Sequence, residues 1–169
     1  MNLLDRLLGH DLDTTREVLT LALALSDEQL DREFDVGWRT LRRTFSHMIG
    51  NIETWTDLMM ERPTRSMTGQ NSVPELLDRL ERGYAEFAAF ARQIEMQGRL
   101  DDLWRDVLDN PPKQKTYGGV IGHVITHDML HRSECLHIMQ RLGVNDLPEG
   151  DLMGWDTARL QGLTSDVSV

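Results

Sequence analysis

Four stretches of the chain carry apolar residues at intervals of three and four, and this periodicity restricts the fold more than any other feature. The first runs from about Leu3 to Leu25, with Leu4, Leu8, Leu12, Val18, Leu19 and Leu23 among its apolar positions. The second runs from about Thr40 to Glu61 and sets Leu41, Phe45, Met48, Ile52, Trp55 and Met59 on one stripe. A period near 3.6 residues is that of an amphipathic α-helix. The third opens with Ser72-Val73-Pro74-Glu75, in which Ser72 and Glu75 form a capping box and Pro74 sits in the first turn; it is expected to reach about Gln97, with Gly98 as its stop. The fourth begins after Thr116 and continues through Arg141, with Gly143 in its C-terminal capping region. Helices of this length are roughly 35 Å long, and each must bury its stripe against the others. The expected class is all-α, a four-helix bundle in a single domain over residues 1–169.

The segments between the helices are read from their turn and cap residues. Ser26 has the character of an N-cap for a short turn, SDEQL; Pro63 closes the second helix, and a polar linker, RPTRSMTGQN, follows it. Residues 99–115, with Trp104 and the pair Pro111-Pro112, are expected to form an irregular connection, and a short helix is expected after Glu149, followed by a frayed end. Composition agrees with helix: only 5 Pro in 169 residues, and an abundance of Leu, Ala, Glu and Arg.

The formal net charge of -10 argues against general binding to nucleic acid or to an anionic membrane, which requires clustered Lys and Arg. No stretch approaches the roughly 18 uninterrupted apolar residues of a membrane span, and the N-terminal segment reads as an amphipathic helix rather than a secretory signal, so a cytoplasmic protein is expected. The single cysteine, Cys135, has no possible intrachain partner and is expected to be a buried, inert thiol.

The chemistry is concentrated in the fourth helix, where GHVITHDMLHRSECLH holds four of the six histidines. With His127 at zero, His131 falls at about 40°, His123 at about -40° and Glu134 at about -20° around the helix axis. Two imidazoles at i and i+4 can reach one ion from consecutive turns. A third ligand has to come from another helix. His47, beside the polar residues Thr44, Asn51 and Thr54, and His10, in the first helix, compete for that role on equal terms by spacing alone. Glu134-x-x-His137 matches half of a di-iron motif, but no second such pair occurs.

The segments TLRRTFSHMIGNIETW (from Thr40) and YGGVIGHVITHDMLHRSECLHIMQRLGV (from Tyr117), together with the ending LPEGDLMGWD, resemble the DinB-like family of metal-dependent helical bundles over almost the whole chain. The most specific likeness is to the H-x-x-x-HRGQ signature of that family's fourth helix. The resemblance implies that His47, His127 and His131 are the ligands of one divalent metal ion, with His123 outside the first shell. Where the family commonly has HRGQ, this chain has His131-Arg132-Ser133-Glu134; the carboxylate at 134 has the reach to orient a ligand or to pair with Arg132. Three imidazoles suit Zn²⁺ or Ni²⁺ and leave a position open. The resemblance further implies helices two and three running parallel across a long crossover, a homodimer, a small-molecule substrate and a low-molecular-weight thiol as co-substrate. The expected function is therefore thiol-dependent transfer or metal-assisted hydrolysis, the alternative being a non-catalytic metal- or small-molecule-binding bundle.

Overall fold

A computed structural model describes residues 1–65 and 71–163; the middle of the polar linker and the end of the tail lie outside the described residues. Each expected helix is present, and its cap shows why it starts where it does. Helix α1 (Leu3–Leu21) begins at Asn2, whose side chain accepts from the Asp5 amide while Asp5 accepts from the Asn2 amide. It stops a turn earlier than its apolar stripe, which continues through a single 3-10 turn, Ala22–Ala24, and Ser26 then caps the short α2 (Asp27–Leu30). Thr40 caps α3 (Leu41–Met59), and the Ser72/Glu75 box opens α4 (Val73–Met96).

The reading of residues 99–115 as irregular is corrected. Strands β1 (Leu103–Asp106) and β2 (Lys113–Thr116) form an antiparallel hairpin in which Trp104 faces Lys115. Four-residue strands are too short for an alternating pattern to stand out in a sequence. The hairpin is held by the burial of Trp104 and by the ion pair of Lys115 with the buried Asp106. It leads directly into α5 (Tyr117–Arg141), capped by Thr116, and Asp151 caps a final α6 (Leu152–Leu160).

Both α1 and α3 pack against α4 and α5, around a core that includes Leu8, Phe45, Leu80, Phe87, Val124 and Ile138. The cross-helix contacts give the sense of each pair. Along α3 and α4 they ascend together: Arg42 donates to the Asn71 carbonyl, Arg79 to Glu53, and the chain leaving α3 ties Asp57 to Glu86 through Arg62 and Arg65. Along α1 and α4 they run oppositely, from Asp5 with Arg92 to Asp11 with Tyr84 and Arg16 with Glu81.

Helix α5 buries polar groups as well as apolar ones. Arg132 donates to Asp11 Oδ1 at 2.6 Å and to Thr15 Oγ1 at 3.0 Å, and the Tyr84 hydroxyl donates to Asp11 Oδ2 at 2.9 Å. Arg132 therefore turns toward α1 and not toward Glu134. Asp128, one turn earlier, is fully buried with neither carboxylate oxygen bonded among the described residues, and burial, with Asp11 nearby, pushes its carboxyl well above the ordinary carboxylate range. Removing one partner of a buried ion pair strands the other charge, at about 3–5 kcal/mol. Asp11→Leu is expected to lower unfolding free energy in urea by that amount, and Asp128→Asn, which replaces a neutral acid by a neutral amide, by about 1 kcal/mol or less.

At the end of α3, burial alone would raise the Asp57 carboxyl, but the Arg65 side chain and amide and the Arg62 side chain outweigh it and hold the value at about 2, against an ordinary 3.8. A carboxyl with a depressed folded-state pKa stabilises fully above its unfolded value, and the contribution is lost as pH falls through the folded one. Asp57→Asn should therefore be less stable than the parent above pH 4, with the difference closing between 3.8 and about 2, as followed by urea denaturation at each pH.

Candidate metal centre

Helices α3 and α5 bring three of the six histidines to one point. His47 lies in the second turn of α3; His127 and His131 lie on consecutive turns of α5. His127 Nε2 is 2.9 Å from His47 Nε2 and 3.1 Å from His131 Nε2, and a donor atom from each of the three residues lies within 4.8 Å of the others. His131 is buried, and the other two are half-buried.

Protonation makes this arrangement a donor set. Glu134 Oε2 is 2.7 Å from His131 Nδ1. A carboxylate only accepts, so the His131 proton sits on Nδ1 and its Nε2 presents a bare lone pair to the cluster. Burial, then the nearby His131 and His127, push His47 down to about 4; burial, followed by its histidine neighbours, lowers His127. Both are neutral at pH 7, so each ring carries one lone pair and one N–H. At 2.9 and 3.1 Å the Nε2 atoms are close enough to share an N–H···N hydrogen bond, and the tautomers that turn all three Nε2 lone pairs inward form a donor set for a cation. Nitrogens bound tetrahedrally at 2.0–2.1 Å would stand about 3.3 Å apart, a few tenths of an ångström wider than the two contacts of His127 and inside the 4.8 Å that bounds all three donor atoms. The residues fit an ion.

The surroundings hold these rings in place. Trp38 stacks on His47 with centroids 4.3 Å apart and planes inclined by 30°. Trp38 is 48% exposed, on the loop before α3. Beside it, Gly37 has φ +51, and a Cβ there would stand 2.2 Å from Glu134 Oε2. Only glycine gives both the left-handed backbone and the space that lets Glu134 reach His131. Neither Gly37 nor Trp38 was singled out from the sequence, since no periodicity marks loop residues that act on a helix far along the chain.

The other sequence candidates lie elsewhere. His10, the competitor for the third position, is buried near α6 and donates from Nε2 to the Gly150 carbonyl at 2.8 Å. His137 is exposed and outside the cluster. Cys135 is fully buried, and burial raises its thiol pKa, so it stays protonated and does not join the histidines. His123 lies one turn before His127, with ring centroids 5.0 Å apart, and outside the convergent group.

The model of the DinB family matches residues 1–152 of this chain. The chain belongs to the DinB family. None of the curated proteins matches it. Family membership rests on the sequence pattern of residues 1–152, and the convergence of the histidines on the packing of α3 against α5.

The Glu134 contact predicts a measurable tautomer. In ¹⁵N spectra of the metal-free protein, His131 should be the Nδ1–H form, and Glu134→Ala should release it to a mixture dominated by Nε2–H, the form favoured in solution. Gly37→Ala should produce the same change by displacing Glu134, with a loss of stability of about 1 kcal/mol or more from the left-handed backbone.

Proposed function

We propose that this DinB-family protein is a metalloprotein in which His47, His127 and His131 hold a single divalent ion, Zn²⁺ or Ni²⁺, and that the site catalyses thiol-dependent transfer or metal-assisted hydrolysis of a small molecule. The observation that carries the reading is the convergence of three imidazole nitrogens, two of the rings kept neutral by burial and the third oriented by a carboxylate. An ion so held supplies a Lewis-acid position open to water or to a thiolate.

The rest of the site is the work of the chain. Glu134 fixes the His131 tautomer and ring angle, a role that outer partners of metal-bound histidines commonly serve. Trp38 covers one face of His47, and His123 lies on the other flank of the cluster, beside His127. The ascending contacts between α3 and α4, and the packing of both α1 and α3 against α4 and α5, support a four-helix bundle whose second and third members run parallel and are joined by a crossover through the linker.

Elemental analysis of untagged protein, purified without chelator, tests the proposal. About one equivalent of metal is expected in the parent and in His137→Ala, and less than roughly a tenth of that in His47→Ala, His127→Ala or His131→Ala, since each loses one of three ligands. Full retention in His47→Ala would overturn the three-ligand site. Stoichiometric metal without turnover of any thiol or hydrolysable substrate would instead favour a binding module.

A further inference from the structure

We propose that the cavity beside the histidine cluster is the substrate subsite of the centre and that it takes a small organic carboxylate with a flat or apolar body, its carboxylate on Lys115 and its other end toward His127; this rests on the metal reading above. The cavity, about 430 Å³, is lined by Trp55, Lys115, Thr116, Gly119, Val120 and His123. That volume is in the range of small-molecule sites. His123 joins it to the centre, with its ring 5.8 Å from Trp55 on one side and 5.0 Å from His127 on the other.

The lining selects for charge and shape. No carboxylate is among the lining residues, and the cation is Lys115, whose Nζ lies 4.6 Å over the Trp55 ring. Asp106, buried behind it, holds the ammonium through one of three N–H groups, and Asp109 lies at the longer distance of 3.7 Å, so a ligand carboxylate would compete with Asp109 for the remaining N–H groups. The first amides of α5 do not serve as the anion site: those of Tyr117, Gly118 and Gly119 are already bonded to Asp102, Leu100 and Thr116. Two buried donors near these residues, though not in the cavity lining, have no partner among the described residues. Asn51 Nδ2 lies on α3 one turn from His47 and one turn from Trp55, and Trp104 Nε1 belongs to the residue that pairs with Lys115 and packs edge-on against Trp55.

The cleft also sets a length. From Gly119 to His127 the helix advances about 12 Å, the span of roughly ten extended bonds. An acid that spans the cavity along α5 from Gly119 to His127 is about as long as an eight-carbon chain with a donor atom at its far end, and this is the length the proposal assigns to the ligand.

The first measurement needs no metal. Titration of the ¹⁵N-labelled full chain with 3-phenylpropionate should shift the indole N–H signals of Trp55 and Trp104, and 3-phenylpropanamide should bind about tenfold more weakly. The Lys115→Met/Asp106→Asn double variant, which removes the charge together with its counter-ion and spares the hairpin a stranded carboxylate, should bind acid and amide alike, and Lys115→Arg should keep the preference. Equal affinity for acid and amide in the parent, a preference that survives the double variant, or shifts confined to Trp38 and Trp155 would overturn the subsite. The second measurement uses the Co²⁺-loaded protein and its thiolate charge-transfer band: 8-mercaptooctanoate should bind at least tenfold more tightly than 3-mercaptopropionate. Equal affinity would overturn the link between cavity and centre. Failure to take up cobalt would overturn the metal reading, while the acid preference at Lys115 is decided separately by the first measurement.

Discussion

The buried ion pair between Asp11 and Arg132 sets the rotation of α5 about its own axis. With the Arg132 guanidinium committed to Asp11 and Thr15 on α1, and with Asp11 also accepting from Tyr84 on α4, three helices are locked at one level of the core. A residue's neighbour on a helix is displaced by about 100°, so His131 is turned away from α1 and toward α3. His127, one turn back, follows it. The histidine face of α5 meets His47 because the face about 100° round from His131 is pinned by charge to α1.

Polar burial on both sides of α5 has a cost that shapes the chain elsewhere. The carboxyl of Asp128 gives up its charge, and His47 and His127 give up theirs, because burial without enough compensation disfavours the ionised form. For the histidines this loss is useful, since neutral imidazole is the form that ligates. Glu134 supplies the remaining orientation at a position where the family commonly carries a glutamine, and Gly37 makes room for it from a loop nearly a hundred residues earlier in the chain.

The hairpin between α4 and α5 extends the same site. Its register puts Trp104 opposite Lys115, and the buried Asp106 holds the lysine against Trp55. The segment between two helices thereby becomes one wall of a cavity that His123 also lines, beside the histidine cluster. Two exposed or half-exposed indoles flank the centre, Trp38 on the His47 side and Trp55 on the His123 side.

What the sequence by itself determined follows from local rules. The long helices, their caps at Thr40, Ser72 and Thr116, and the His127–His131 pair on one face all depend on residues within a few positions of one another, and the structure shows them as expected. The choice of His47 over His10 was open to spacing, because both are single histidines on amphipathic helices; only the packing of α3 on α5 separated them, and it left His10 bonded to Gly150. The hairpin was illegible because its strands are shorter than the period needed to see them. Gly37, Trp38 and the cavity wall at Trp55 and Lys115 were decided by tertiary structure alone: their roles lie in contacts with residues far along the chain, and no local pattern encodes which distant side chain a loop will meet.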